Sequence, residues 1–363
     1  MQQVQDLPDR GPDMDAKTLA VLTAAADQPP DVSTDRLLAR LSRNRDLVLF
    51  IIAALIFLFF SLTTSTFLRE FNLLNILRNT SLITIVAVGM TFVLIAGEID
   101  LSVGSAYGVL TVLMGMLVVA VGLSPWLAMP IVILAGAAVG LFNGLFIVGF
   151  GIPSFIVTLA MLAGFRSLAL IISGERPFTP RGTDVFYDLT GGNMLLPLGE
   201  DRVLHVPWLI IWMIPVVVIG GIVLAYTRFG YHVYATGGNR EAARDTGINV
   251  ARVRLSVFVL TSALCGLAAA LVFGYLHAAA PTTGVGFEFR VIGAVVVGGT
   301  ALTGGRGSIL GTLLGAVIIG MITGGMVLFG YSQNVGDMAT GLLIMVVGSL
   351  DLGLRRHLRS RAW

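Results

Sequence analysis

Apolar runs of about 17–25 residues, each long enough to cross a bilayer, recur along almost the whole stretch from Leu47 to Leu352. A chain patterned this way is expected to fold as an all-α, polytopic membrane protein. Only 12% of its residues are charged and 56% are hydrophobic, whereas a soluble domain carries roughly a quarter charged residues. There is too little polarity here to cover a water-exposed sphere. Spans are predicted near 47–62, 80–97, 103–123, 126–149, 153–173, 207–226, 256–276, 287–303, 307–330 and 335–352, about ten transmembrane helices in all.

Charge placement orients these spans. Arg36, Arg40, Arg43 and Arg45 precede the first span, and Arg355, Arg356, Arg359 and Arg361 follow the last. Arginine excess marks the cytoplasmic side, so both termini are expected there. Residues 1–46, rich in Asp, Pro and Ala, read as a largely disordered cytoplasmic tail. Residues 47–352 form the transmembrane domain, and 353–363 a basic cytoplasmic tail. Counting spans from the inside places the 29-residue segment Thr227–Leu255, with its five arginines, in the cytoplasm. The loop 174–206, with five acids against three arginines, falls outside.

Several chemistries are excluded. Of 23 basic residues only Lys17 is a lysine, so no Gly-Lys-[Ser/Thr] phosphate loop exists and any ATPase must be another chain. Cys265 is the only cysteine and lies in an apolar span, and His205, His232, His277 and His357 are widely separated. No disulfide and no metal site is expected, nor any catalytic residue. The arginines follow topology instead of forming a groove, which argues against nucleic-acid binding.

Local patterns suggest particular structures. In Glu241-Ala-Ala-Arg-Asp-Thr-Gly247, Ala242 and Ala243 are expected on a short helix that Gly247 terminates. At Gly97-Glu-Ile-Asp-Leu-Ser-Val-Gly-Ser105, two carboxylates stand beside or within the membrane, which is costly unless they face water or a partner. Asp100 or Ser102 could cap the next helix, and capping can coexist with substrate contact. Pro153 in Gly151-Ile-Pro-Ser-Phe-Ile-Val-Thr-Leu159 suits a helix start; alternatively Ser154, Phe155 and Thr158 line a pathway. Gly136, Gly140 and Gly144, and likewise Ala316, Gly320 and Gly324, form ladders for close helix packing. Asn143 could bridge helices or line the pathway. Arg166 is expected to snorkel towards the headgroups, with pairing to Glu98, Asp100 or an external acid as the alternative.

Together, the segments 97–105 and 151–159, Gly237-Gly-Asn-Arg-Glu-Ala-Ala243 leading to Gly247-Ile-Asn249, and Gly298-Gly-Thr-Ala-Leu-Thr-Gly-Gly-Arg-Gly-Ser308 resemble, in order, the ribose-type sugar permeases of ATP-binding cassette (ABC) importers. The resemblance spans about residues 47–352. It implies a type II ABC importer permease-like fold and translocation of a monosaccharide or related polyol. Partners implied are cytoplasmic ABC ATPase subunits, a second permease copy or paralogue, and a periplasmic sugar-binding protein, in the lipid of a bacterial inner membrane. ATP and Mg would be used by the ATPase, with no cofactor on this chain. It assigns ATPase coupling to Gly238, Asn239, Glu241, Ala242, Ala243, Gly247 and Ile248. The translocation pathway falls to Glu98, Asp100, Ser102, Asn143, Ser154, Phe155 and Thr158, and binding-protein docking to His277, Glu288 and Arg290. The Ile-x-Leu-Pro that continues the broader importer loop does not follow Gly247. Alternatives are an ion-coupled secondary sugar transporter, or an ABC permease for a furanosyl autoinducer-type compound or a branched-chain amino acid.

Overall fold

The architecture is a helical bundle in which two segments leave helical geometry, so that the helices following them begin inside the protein. The computed structural model describes residues 45–197 and 203–360, with side chains described over 46–197 and 203–349. The expected disordered tail, apart from its last two residues, lies outside them. Helix α1 spans Arg45–Thr63, α2 Glu70–Ile95, α3 Val103–Gly115, α4 Pro125–Gly149 and α5 Ser154–Ser173. A short α6, Val185–Gly191, leads to an antiparallel hairpin of β1, Asn193–Pro197, and β2, Val203–Pro207. Then come α7 (Trp208–Tyr226), α8 (Arg228–Gly238), α9 (Arg240–Asp245), α10 (Val250–Leu276), α11 (Phe287–Val297), α12 (Ile309–Leu328) and α13 (Gln333–Ser360).

Eight of the described helices are long and apolar enough to cross a membrane. They are α1, α2, α3 with its π-helical extension Met116–Ala120, α4, α5, α7, α10 and α12. The expected span 287–303 is instead an 11-residue helix, α11, followed by turns through Arg306. At 1.5 Å per residue it covers about 16 Å, half the hydrocarbon thickness. The helix of the last expected span, α13, continues through most of the predicted basic tail to Ser360. The hairpin was not foreseen; it closes one face of the bundle, which we call the hairpin face. Glu70 pairs with His205, and Arg78 donates to Asn193 at 2.8 Å, tying the hairpin to the start of α2. The opposite side, carrying α8 and α9, is the arginine face.

The two breaks mirror each other. After α2, residues 96–102 turn back into the protein before α3 begins; after α10, residues 277–286 do the same from the hairpin face. Ala279 forms a β-bridge with Phe178 beside Gly115, Thr283 passes Gly108, and Gly284 reaches Gly104. The segment therefore descends the length of α3, about 16 Å by helical rise. The N-termini of α3 and α11 meet at its end, where the Tyr107 and Phe287 rings stack 4.5 Å apart. The two helices run away from this junction in opposite senses; α11, at 11 residues, is the one too short to cross the bilayer.

Glycines set the packing distance. A Cβ at Gly136 or Gly140 would lie 2.2 Å from the carbonyl oxygen of Ser262 or Phe258, so α4 and α10 touch backbone to backbone. The second ladder packs α12 on α2, with Gly320 against Thr80 and Gly324 against Ile76. Contacts this close supply the van der Waals attraction that holds helices together in lipid. Replacing Gly140 with Leu should therefore destabilise the bundle by about 1–3 kcal/mol or more, seen as an earlier thermal transition in detergent. Gly149→Ala, which meets nothing within 4 Å, should leave the transition unchanged.

Candidate functional site

Two polar constellations meet at the arginine face. In the first, Thr227 caps α8 by accepting from the Gly230 N–H, and the chain breaks at Asn239. The Asn239 carboxamide oxygen accepts from the N–H groups of Glu241 (3.0 Å) and Ala242 (3.1 Å), starting α9. Gly247, at φ +84°, ends it. Its N–H donates to Arg244 O at 2.8 Å and that of Ile248 to Ala243 O at 3.0 Å, the paired bonds of a left-handed helix terminus. The short helix expected from the spacing is present. Gly238, Asn239, Glu241, Ala242 and Gly247 are exposed, while Ala243 and Ile248 turn inward.

This loop is anchored to both breaks. A Cβ on Gly237 would lie 1.7 Å from Ile95 O, which itself accepts from the Gly305 N–H at 2.8 Å. The Tyr234 hydroxyl, its pKa raised by burial, donates to Gly307 O at 2.7 Å. Arg240 donates to Gly97 O (2.8 Å) and to Glu98 Oε1 (2.6 Å). Arg254 donates from Nε to the same carboxylate oxygen at 2.5 Å.

The second constellation fills residues 96–102. Asp100 Oδ1 accepts from the Ser102 N–H (2.9 Å) and hydroxyl (2.6 Å), and Ser102 Oγ accepts from Asn143 Nδ2 at 2.9 Å. Asp100 thus closes a local turn and neither residue caps α3 with its side chain. Ser154 Oγ accepts from the Ile99 N–H at 3.3 Å, and the Thr158 hydroxyl points to Ile99 O at 3.4 Å. Pro153 stands at the N-cap position of α5 directly before this contact, so the helix start expected there is present. Glu98, Asp100, Ser102, Asn143, Ser154 and Thr158 are all buried, whereas Phe155 is exposed. Asp100 Oδ2 and Asn143 Oδ1 are buried acceptors without hydrogen-bond partners among the described residues.

The three residues expected at a docking surface separate. His277 is exposed at the end of α10, against Tyr187. Glu288 is buried at the junction, with Oε2 against Gly104. Arg290 makes a two-point contact with Asp337 (2.7 and 2.9 Å) inside the chain. Of the three, His277 is exposed, Arg290 is half-buried and Glu288 is buried. Arg166 turns inward and, among the described residues, makes no ion pair; its guanidinium donates to Thr283 O (2.9 Å) and Pro281 O (3.1 Å), bracing the descending segment. Asp337 and the two arginines on Glu98 were not singled out from sequence, because their partners lie 47, 142 and 156 residues away.

These features define a multi-pass membrane protein. A family model described as the permease component of branched-chain amino acid transport systems matches residues 72–348. The ribose import permease of Bacillus subtilis is 37% identical over 291 residues, covering 80% of this chain and 88% of its own length. That of Escherichia coli K12 is 36% identical over 281 residues, covering 77% and 85%. The L-arabinose ABC transporter permease of Azospirillum brasilense is 37% identical over 304 residues, covering 83% and 85%. The chain belongs to this permease family.

Arg166→Ala should leave two carbonyls of the descending segment without donors, a loss of about 1–3 kcal/mol each if no water replaces the guanidinium. Thermal unfolding in detergent should shift down by several degrees, and Arg166→Lys should recover part of it. An unshifted Arg166→Ala transition would show that the segment is held by other contacts.

Proposed function

We propose that this chain is the membrane-spanning subunit of an ATP-driven importer that moves a monosaccharide, a pentose or hexose or a related polyol, across a bacterial inner membrane. Ribose and arabinose permeases at 36–37% identity over most of their length support the sugar class. The arginine face lies in the cytoplasm, as Arg228, Arg240, Arg244, Arg252 and Arg254 in one loop region favour. Both termini then lie on that side. A second copy or a paralogue completes the pathway, and a sugar-binding protein delivers cargo to the hairpin face.

One observation carries this reading. The loop presents Gly238, Asn239, Glu241 and Ala242 to solvent on a short, doubly capped helix, while Ala243 and Ile248 anchor it inward. A rigid, exposed knob is what a separate motor chain can grip. That motor binds ATP and Mg; this chain performs no bond chemistry. Of Ser154, Phe155 and Thr158, Phe155 alone is exposed, beside Ile156 and Leu159 on α5, and it is the one of the three we keep on the pathway.

Glu241→Arg with Ala242→Arg changes only exposed side chains. Membrane levels of the chain should hold, while copurification of the ATPase with a tagged chain falls about tenfold or more, equivalent to 1.4 kcal/mol or above. Undiminished ATPase capture by the double variant would remove α9 from the assembly.

A further inference from the structure

Glu98 stands where three segments meet. Its carboxylate is 3% exposed, and one oxygen receives both Arg240, which opens α9, and Arg254, which lies in the first turns of α10. Arg240 also holds the neighbouring Gly97 carbonyl. The two guanidinium groups differ in exposure, 41% for Arg240 and 14% for Arg254. An exposed pair would contribute little. Removing the partners of a carboxylate buried this deeply leaves an uncompensated charge, so the contact resists being pulled apart.

The far side of Glu98 is held by weaker, neutral contacts. The Ile99 N–H donates to Ser154 Oγ at 3.3 Å, and the Thr158 hydroxyl, which donates to Ser154 O at 2.8 Å, lies 3.4 Å from the Ile99 carbonyl. Two residues on, Asp100, Ser102 and Asn143 connect the segment to α4 and to the start of α3. Residues 97–102 are thus the covalent and hydrogen-bonded route from the exposed loop to α3, and Glu98 is its ionic tie to that loop. The close backbone contact at Gly237 can transmit a push, but it has no side chain with which to pull.

Resting on the importer reading above, we propose that Glu98 is a positioning residue that couples movement of α8–α9 to α3. Arg254 is its fixed partner, and Arg240 is the partner that travels with the motor-facing loop.

The test uses the intact importer, purified from native membranes through a tag on this chain and reconstituted in vesicles. The readout is tritiated ribose moved per ATP hydrolysed. Glu98→Gln should leave the ATPase bound and lower that ratio about tenfold, the change expected when 1.4 kcal/mol of coupling is lost. Arg254→Gln should behave similarly, and the double variant should be no worse than Glu98→Gln, the non-additivity of residues acting through one contact. Should Glu98→Gln fail to assemble, Arg254→Lys keeps the charge but loses the Nε donor, and should lower the same ratio. A ratio unchanged in the variants, transport and hydrolysis falling in proportion, or additive losses would each overturn the proposal. A wild-type complex that hydrolyses ATP with its binding protein present yet moves neither ribose nor arabinose would count against the proposed cargo and not against the clamp.

Discussion

The constraint on which this structure depends is that peptide groups inside a bilayer need partners, and helices normally supply them. Here two segments, 96–102 and 277–286, leave the helical path within the bundle, and side chains take over the duty. Ser154 serves the Ile99 N–H, Asp100 serves the Ser102 N–H, and Arg166 serves the carbonyls of Pro281 and Thr283. Each of these residues looks, in isolation, like a functional polar group in a membrane. Their first task is to make the breaks possible.

The second requirement is close approach. Gly284 and Gly104 meet at the junction, Gly237 meets Ile95 O, and Gly298 and Gly311 bring α11 against α12, all at distances no Cβ could share. A half-helix has only half the usual surface with which to pack, so α11 compensates by bringing backbones into direct contact. That leaves Glu288 with a buried, unpartnered oxygen at the meeting point of two helix N-termini, where the peptide dipoles favour a negative group.

Hydrophobic periodicity made the long helices legible, because lipid selects for length and apolarity and little else. The short helix α9 was legible because its caps are local: Asn239 and Gly247 act within a few residues. The half-helix α11 was not. Its continuation Gly298–Thr303 carries no charge to mark an end, and the backbone turns at Gly299 (φ +91°) and Gly304 (φ +84°) show that the helix has stopped. The site was legible as residues but not as roles. Glu98, Asp100, Ser154 and Thr158 were found from one motif each, yet their partners lie in distant segments, and no local rule connects Glu98 to Arg254. Arg166 was noticed for the right reason, an expensive charge in a span, and its acceptors were main-chain carbonyls that sequence cannot display.

The division of the loop into exposed and anchored halves bears on what kind of part it can be. A plug would bury its polar tip in the pathway, and a free tether would have no fixed contacts with the helices it adjoins. This loop does neither. Its tip is solvent-facing at Glu241 and Ala242, while its base is joined by Arg240, Gly237 and Tyr234 to the ends of both broken-helix units. In the proposed importer, force applied at the tip would therefore arrive at the two places where the bundle is already discontinuous. A continuous helix would have to move as a whole, whereas a half-helix held by side-chain hydrogen bonds can shift by exchanging a few of them. The breaks that are costly to build are also where the bundle can change shape at the lowest cost.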